Sequence, residues 1–321
     1  NKTTNKMREN NPVFKSDKLN LIDVQSNGDI TIAQVNYDTK VISDIISLHK
    51  AFELGYVIVK ELPSERVNSI ELENISTKYI FILDGDILKG AKQNRVVNTS
   101  VLVAPKSKII LPVSCVEEGR WRFNSDKFRP SDEVAHKSIR YSKLKTISES
   151  RVQNNASFSA DQGSVWRNVS MCSAKLDIDS PTESHSDSFE YFKDEFNELT
   201  KKFSLNENAN GLFVFVGGKL SSCEIFNSKQ LLEDYFGKII KSAAMDRKMK
   251  DKDEFYNKEK PLETEVAIKN ALREFETLSD KSTVSKALGV GQETRLSNQD
   301  KLYYSLVHEN EIIHQTIITA D

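Results

Sequence analysis

The chain has 321 residues, of which 38% are hydrophobic, and it carries 45 Lys and Arg residues against 47 Asp and Glu residues. Its length is about twice that of a common domain, which excludes a small disulfide-stabilised module and allows a sizeable core. The formal net charge of −2 argues against bulk nucleic-acid binding through long-range attraction, so any anion-binding surface is expected to be local.

The three cysteines, Cys115, Cys172 and Cys223, are far apart and show no CxxC spacing. This pattern indicates neither a disulfide framework nor a zinc site, and it favours the reducing cytoplasm. No apolar run approaches the roughly 18 residues that a membrane span requires. We therefore expect a soluble cytoplasmic protein without membrane association. The sequence indicates no particular cofactor or oligomeric state.

The first part of the chain is predicted to be rich in antiparallel β-structure. Residues 1–20 are mostly polar and predict a loosely ordered arm. Short apolar or alternating runs follow over residues 21–130, separated by turn-forming Pro63, Asp84-Gly85 and Pro105. Their spacing is typical of a sandwich or barrel. One helix is predicted within this part, at residues 41–54.

The period changes after residue 130, and the remainder, 131–321, is predicted to be an α/β part. Phe189, Phe192, Phe196, Leu199 and Phe203 recur at helical spacing and predict one helix with an aromatic face. Further helices are predicted at residues 132–151, 161–176, 228–245 and 262–278, with strands at 212–216 and 222–226 and a hairpin at 293–319.

The hairpin at 293–319 is predicted to turn at Glu309-Asn310. Residues 247–261 contain ten charged residues of both signs and predict a solvated linker or insertion. The fold predicted from these elements is α+β, with an N-terminal antiparallel β-rich part packed on a C-terminal helical part that contains a small sheet. The two parts could form one continuous domain.

Two polar clusters follow apolar runs in the most unusual stretch of the sequence, residues 84–122. The first cluster is residues 92–95 and the second is residues 117–121. If the runs at 96–103 and 109–116 pair as a hairpin around Pro105, both clusters lie at the same end of the sheet. They then form a single site.

The residue types in these clusters suit an anionic ligand that carries a base. Arg95 and Arg120 can bind phosphate in a bidentate manner, and Lys92 adds a point charge. Trp121 can stack on a base, and Glu117 is the candidate general acid or base. The alternative is a surface loop in which the basic residues simply pair with Glu117 and its neighbour.

Several motifs resemble the ARPP domain family, whose name stands for ARG and rhodanese-phosphatase-superfamily-associated protein, first type. They are GAKQNR at 90–95, PVSCVEEGRW at 112–121, QGSVW at 162–166, SPT at 180–182 and a strand-turn-strand-helix ending in Ala244-Met245-Asp246. The first two are long and distinctive, and the resemblance covers residues 55–318. It implies association with ADP-ribosylglycohydrolase-type and rhodanese-phosphatase-type enzymes, and hence a role with ADP-ribose or nucleotide derivatives.

Position by position, the resemblance singles out eight residues of the first two motifs and two of the third. These are Lys92, Gln93, Asn94, Arg95, Cys115, Glu117, Arg120, Trp121, Gln162 and Trp166. Arg140 and Lys143 match more faintly. At Asp86 the family pattern has Glu, which puts a catalytic role for Asp86 in doubt.

The site that these residues predict has a small set of roles. Lys92 and Glu117 are the predicted catalytic residues. Gln93, Asn94, Arg95, Arg120, Trp121, Gln162 and Trp166 are the predicted substrate-binding residues. The function expected is that of a hydrolase or transferase on a nucleotide-derived phosphate or ADP-ribose-like substrate. The alternatives are a non-catalytic ligand-binding module, for instance in a bacterial conflict or stress system, and a structural interaction domain.

Other candidates have simpler explanations. Cys115 lies in an apolar strand and is expected to be a buried, inert thiol. Asp84-Gly85-Asp86 resembles a carboxylate pair for a divalent ion, but a plain Asp-Gly turn explains it. His308 and His314 share a predicted hairpin face, but no third ligand stands near them, so no metal site is predicted.

Overall fold

The computed structural model of the protein describes residues 16–62, 67–119, 127–152, 157–250, 261–279, 283–298 and 300–320. Its contacts divide the chain into two units. The first unit comprises Asn1–Ser43, Phe203–Glu233 and Asp251–Asp321, and the second comprises Asp44–Lys202 and Asp234–Lys250. Each unit therefore combines segments from both halves of the chain. The division into a β-rich part at 21–130 and an α/β part at 131–321 stays a prediction.

The described residues contain antiparallel-rich sheets and helices, beginning with a short 3₁₀ turn at Ser16–Lys18. The strands are β1 (Leu19–Asn27), β2 (Ile30–Tyr37), β3 (Ile45–Ser47), β4 (Val57–Glu61), β5 (Ser69–Asn74), β6 (Tyr79–Ile82), β7 (Asp86–Gly90), β8 (Arg95–Val97), β9 (Val101–Val103), β10 (Ser107–Cys115), β11 (Phe128–Val134), β12 (Gly211–Val216), β13 (Lys219–Phe226), β14 (Thr283–Lys286), β15 (Gln292–Ser297), β16 (Lys301–His308) and β17 (Glu311–Thr319). The helices are α1 (Leu48–Glu53), α2 (Lys137–Val152), α3 (Gln162–Lys175), α4 (His185–Tyr191), α5 (Lys193–Thr200), α6 (Lys229–Met249) and α7 (Pro261–Ser279). The predicted α+β class is confirmed.

The first unit is built on one antiparallel sheet of eight described strands, in the order β1-β2-β12-β13-β17-β16-β15-β14. One face of this sheet carries an apolar cluster that includes Phe213, Ile225 and Tyr303. Helix α7 covers that face with Ile268 and Leu272, because these residues are four apart and lie on one side of the helix. The small C-terminal sheet that the sequence predicts is thus continuous with the N-terminal strands.

The second unit contains a six-stranded sheet in the order β11-β7-β8-β10-β5-β4 and a three-stranded sheet in the order β3-β6-β9. A small apolar cluster joins the ends of β8 and β10 to α2 and α3. Its members are Val96, Val116, Ala135, Ile139, Val165 and Val169. The two helices are therefore anchored beside the strand ends where the polar motifs begin.

Three predicted helices differ from the observed ones. The helix predicted at 41–54 was wrong over its first half, because β3 pairs in parallel with β6 and the helix begins only after Ser47. The helix predicted at 132–151 begins at Lys137, since Val134 pairs with Asp86 in β11 and β7. The aromatic helix is broken at Phe192, whose φ of −101° and ψ of 15° separate α4 from α5.

The other predicted elements lie close to their observed positions. Helix α3 has Asp161 as its N-cap and Leu176 as its C-cap, which matches the predicted 161–176. The turn at Glu309-Asn310 is confirmed, and both residues have the positive φ, 53° and 63°, of a tight hairpin turn. Within the predicted hairpin at 293–319, β15 forms a third strand paired with β16. Residues 251–260 of the predicted charged linker lie outside the described residues, as do 1–15 of the predicted arm.

In the part of the chain that the structure describes, no helix is both long and apolar enough to cross a membrane.

Candidate functional site

The ends of β8 and β10 bring the two predicted polar clusters together. The strands are antiparallel, with Cys115 opposite Arg95 and Val113 opposite Val97. The residues just before β8 therefore meet those just after β10, as the sequence predicts. The predicted long hairpin was wrong in one respect: Val101–Val103 leaves this sheet and pairs with β6 instead.

A strained turn carries the first cluster. Gly90 has a φ of 128°, and Ala91 follows with a φ of 47° in the left-handed region that residues with a Cβ rarely adopt. The amide of Gly90 donates to Asn94 Oδ1 at 3.2 Å, which closes the turn. Such strain persists where the surrounding structure holds it, and it is concentrated at functional sites. Lys92, at the tip of this turn, is half-buried.

Glu117 is the carboxylate at the centre of the site, and its residue surface is 5% exposed. Its Oε2 accepts a hydrogen bond from the backbone amide of Asn94 at 3.1 Å, and its Oε1 accepts one from Thr182 Oγ1 at 3.2 Å. The side-chain amide of Gln93 donates to the Glu117 carbonyl at 2.8 Å. Two separate segments thus fix the position of this carboxylate.

A third segment, around Thr182, lies against the end of β10. Gly119 donates its backbone amide to the Thr182 carbonyl at 2.8 Å, and Glu117 and Ser184 form a β-bridge. A Cβ at Gly119 would lie only 3.0 Å from Thr182 Cα, so glycine allows the two segments to approach closely here. The weak SPT motif therefore belongs to the same site as the two strong motifs.

Arg95 is 1% exposed, and protein groups surround its guanidinium. Nη1 donates to Gln93 Oε1 at 3.0 Å and to Cys115 Sγ at 2.8 Å, and Nη2 donates to Glu61 Oε1 at 3.3 Å. Its Nε has no hydrogen-bond partner among the described residues, so one N–H donor of this buried guanidinium stays available. Its geometry is that of a residue that positions Gln93, and thereby the Glu117 segment.

The thiol of Cys115 is buried beside Arg95. Burial raises its pKa to about 11, although the nearby guanidinium acts in the opposite direction. A thiol with this pKa is protonated at neutral pH and is a poor nucleophile. The expectation of an inert cysteine agrees with this environment.

Gln162 joins the site through the backbone. Its Oε1 accepts from the Cys115 amide and its Nε2 donates to the Cys115 carbonyl, both at 2.8 Å. The side chain of Gln162, the first residue of α3, therefore pairs the backbone N–H and C=O of Cys115 on the side of β10 that does not face β8. Trp166, one turn later, is half-buried, and its indole Nε1 has no hydrogen-bond partner among the described residues.

The other two predicted ligand contacts, Arg120 and Trp121, lie outside the described residues. Their substrate-binding roles stay predictions, as do those of Lys92, Gln93, Asn94, Gln162 and Trp166. The structure brings Gln93, Asn94, Arg95, Glu117 and Gln162 together around β8 and β10 in a single hydrogen-bonded group, which we call the Glu117 cluster.

Sequence reasoning missed a second polar group in the second unit, which we call the Asp84 cluster. Its members are Asp84, Asp86, Arg140, Lys143, Tyr235 and Lys238, and all of them are buried. The sequence explained the first two as a turn, and the turn is present, with a φ of 89° at Gly85. Arg140 and Lys143 are three apart on α2, but nothing local connects them to Tyr235 and Lys238.

The structure offers no metal centre built from three or more His, Cys, Asp or Glu side chains among the residues it describes. His314 bonds to Glu224 through Nε2 at a distance of 2.7 Å to Oε2. Both side chains are fully buried in the first unit. This pairing accounts for His314 without a metal ion.

The family model of the ARG and Rhodanese-Phosphatase-superfamily-associated Protein domain matches residues 18–318 of the chain. The match covers nearly the whole sequence, so the chain belongs to this family, as the motifs indicated. Comparison with curated proteins and with solved structures found no match to either.

Proposed function

We propose that this member of the ARG and rhodanese-phosphatase-associated family is a hydrolase or transferase acting on a nucleotide-derived phosphate or an ADP-ribose-like substrate. The proposed site is the Glu117 cluster. The ligand class follows from the anion-binding residue types of the two strong motifs and from the association that the family resemblance implies. The near-neutral charge of the chain fits a small anionic ligand better than bulk nucleic acid.

One observation carries this proposal. Gln93, Asn94, Arg95 and Glu117 are all nearly inaccessible to solvent, and hydrogen bonds connect them at one end of a sheet. Burying charged and amide groups carries a desolvation penalty, and well-packed apolar residues are often as stable or more stable in their place. Stability alone therefore gives little reason for this composition, whereas a preorganised catalytic site does.

Each residue has a distinct proposed role. Glu117 is the general acid or base, held by Asn94 and Thr182. Lys92 supplies the cation for a phosphate group. Gln93 and Arg95 are positioning residues, because Arg95 donates to Gln93 and Gln93 donates to the Glu117 carbonyl. Arg120 and Trp121 complete the ligand contacts in this proposal.

The hydrogen bonds that Arg95 and Gln93 make to protein groups favour a second candidate, a non-catalytic module that binds such a ligand or only a protein partner. We place the protein in the cytoplasm in either case, because all three cysteines are free and buried.

Turnover assays against ADP-ribose, NAD and nucleotides, followed by chromatography, test the proposal. The variant Glu117→Gln is expected to lower kcat by about 100-fold or more, the range for a lost general acid or base, with ligand affinity nearly unchanged. Glu118→Gln is the matched control, because Glu118 is the neighbouring carboxylate and is exposed. A ligand that binds but is recovered unchanged supports the binding module. The role of Glu117 as general acid or base is refuted if Glu117→Gln retains full turnover, and the enzyme hypothesis is refuted if the wild type turns over none of these compounds.

A further inference from the structure

The turn that carries Thr182 is tight and strained. It runs from Ser180 through Pro181 and Thr182 to Glu183, whose amide donates to the Ser180 carbonyl at 3.0 Å. Serine at the first position and proline at the second are favoured in type I turns. Glu183 has a φ of 46°, and such backbone strain persists only where the surrounding structure holds it. The neighbours of this turn therefore have to fix it in place.

The side chain of Ser180 fixes the turn. Its Oγ accepts the Ser184 amide at 2.8 Å and donates to Asp187 Oδ2 at 2.6 Å. Asp187 lies in the first turn of α4. The start of α4 is attached to β10, because the His185 amide donates to the Val116 carbonyl at 2.9 Å. One hydroxyl thus ties the turn to a helix that is itself tied to the strand.

The fixed turn aims Thr182 at the Glu117 carboxylate. Thr182 Oγ1 donates to Oε1 at 3.2 Å, and the Asn94 amide donates to Oε2 at 3.1 Å. Both hydrogen bonds are donated to the carboxylate, one to each oxygen. They favour its ionised form, because a protonated carboxyl group carries a donor of its own. An ionised carboxylate can take a proton from a nucleophile, but it has none to give to a leaving group.

We propose that Glu117 acts as a general base and not as a general acid, and that Ser180 and Thr182 are positioning residues that hold it in this role. The role rests on the proposed function. Glu117 takes a proton from the attacking water or acceptor hydroxyl while that oxygen forms its bond to phosphorus. The bond from phosphorus to the leaving oxygen breaks, and its electron pair stays on that oxygen. The leaving group departs as an anion, whose charge Lys92 neutralises.

The substrate class follows from this proton balance. A leaving group that receives no proton has to be stable without one. The phosphate released from a phosphoanhydride meets this condition, since its pKa is about 6, whereas an alkoxide does not. A neutral leaving group such as nicotinamide would not use the Lys92 cation. The cleaved bond is therefore assigned to a phosphoanhydride, such as the one that joins the two halves of ADP-ribose or NAD.

Product analysis and leaving-group dependence test the base role. Chromatography of NAD reactions is expected to show AMP and nicotinamide mononucleotide, and release of nicotinamide would contradict the assigned bond. Glu117→Gln is expected to lower kcat by about 100-fold or more on both the phenyl and the p-nitrophenyl ester of AMP. The p-nitrophenyl group leaves readily without a proton, so a variant that lost only a general acid would keep its rate on that ester. A wild-type rate of Glu117→Gln on the p-nitrophenyl ester overturns the base role.

Kinetics of the turn variants test the positioning roles. Ser180→Ala and Thr182→Val are each expected to lower kcat about tenfold or more with KM nearly unchanged, because they misplace the carboxylate without touching the ligand. Thr182→Ser keeps the hydroxyl and is expected to keep the wild-type kcat. Ser186→Ala is the matched control for Ser180→Ala, because Ser186 is buried and its hydroxyl has no hydrogen-bond partner among the described residues. Equal kcat values for Ser180→Ala and Ser186→Ala overturn the role of Ser180.

Crystal structures of Ser180→Ala and Ser186→Ala give a readout that does not depend on turnover. The distance from Thr182 Oγ1 to Glu117 Oε1 is expected to exceed about 3.5 Å in Ser180→Ala and to stay at its wild-type value in Ser186→Ala. The positioning role is overturned if Ser180→Ala keeps this hydrogen bond. A wild type that turns over none of the compounds refutes the proposed function, and the two structures still decide whether Ser180 positions Glu117.

Discussion

Replacement of Gly85 by alanine tests the packing of the Asp84 cluster. Gly85 has a φ of 89°, and a Cβ built there would lie 2.9 Å from both Cγ and Cδ of Arg140. Real Cβ contacts are not this short, so the Arg140 side chain has to move. Because its guanidinium is bound to Asp84 in two places, that movement disturbs a buried ion pair.

The expected loss of stability has two parts. A residue with a Cβ in the left-handed region costs about 1–2 kcal/mol. Breaking a buried ion pair costs about 3–5 kcal/mol, and a partial shift of Arg140 costs a fraction of that. We therefore expect Gly85→Ala to lower the free energy of unfolding by about 2–5 kcal/mol. Gly55→Ala is the matched control in the same unit: its φ is 68° and nothing lies within 4 Å of the added Cβ, so only the first part applies.

Urea denaturation followed by circular dichroism measures both variants. The excess loss in Gly85→Ala should disappear when Arg140 is also replaced by alanine, because the clash and the ion pair are then both absent. Equal losses for Gly85→Ala and Gly55→Ala would refute the steric argument, and so would an excess that persists without Arg140.

Three further predictions concern single side chains. Gln162→Ala should lower the free energy of unfolding by about 1–3 kcal/mol in urea denaturation, because both backbone groups of Cys115 lose their partner; an unchanged midpoint would contradict this. Cys115 should resist a disulfide reagent in the native protein at pH 8 and react in urea, since its pKa is about 11; rapid native labelling of this residue would show the thiol to be accessible. Burial lowers the pKa of Lys143 to about 7. Lys143 should make the wild type more stable as pH rises from 7 towards 10.5, since in this range the unfolded chain binds a proton that the folded chain does not. The free energy of unfolding of the wild type should exceed that of Lys143→Met by a margin that grows by up to about 1.4 kcal/mol per pH unit. A margin that stays constant with pH would exclude a depressed pKa.

Local signals account for the parts of the fold that were predicted well. Asp161 is a good N-cap, and a 14-residue helix follows it as expected. Residues Glu309 and Asn310 join two alternating strands and adopt the hairpin turn. The errors at 41–54 and 132–151 arose where distant pairing decided the structure. Residues 45–47 became a strand because β6, more than thirty residues later, offers them a parallel partner, and no local pattern reveals this.

The same distinction applies to the polar clusters. The meeting of residues 92–95 with Glu117 could be predicted, because antiparallel pairing of two neighbouring strands is a local event. The environment of Arg95 could not, since its partner Glu61 lies 34 residues earlier, on β4. An arginine at the end of a strand suggests phosphate binding, but its contacts show a guanidinium already bound to protein groups.

The Asp84 and Glu117 clusters are connected through strand β8, although their residues are scattered over the sequence. Arg95 contributes its side chain to one cluster, and Val97 accepts the Lys143 ammonium of the other with its carbonyl. Two residues along a strand span about 7 Å, so the clusters are neighbours that share a rigid element. Val97 also accepts the amide of Gly85, which ties the turn of the Asp84 cluster to the strand that ends in the Glu117 cluster. A change in the charge of Lys143 therefore acts on the same strand that positions Arg95. One preorganised framework that includes both clusters explains the polar residues of this region better than two unrelated surface loops do.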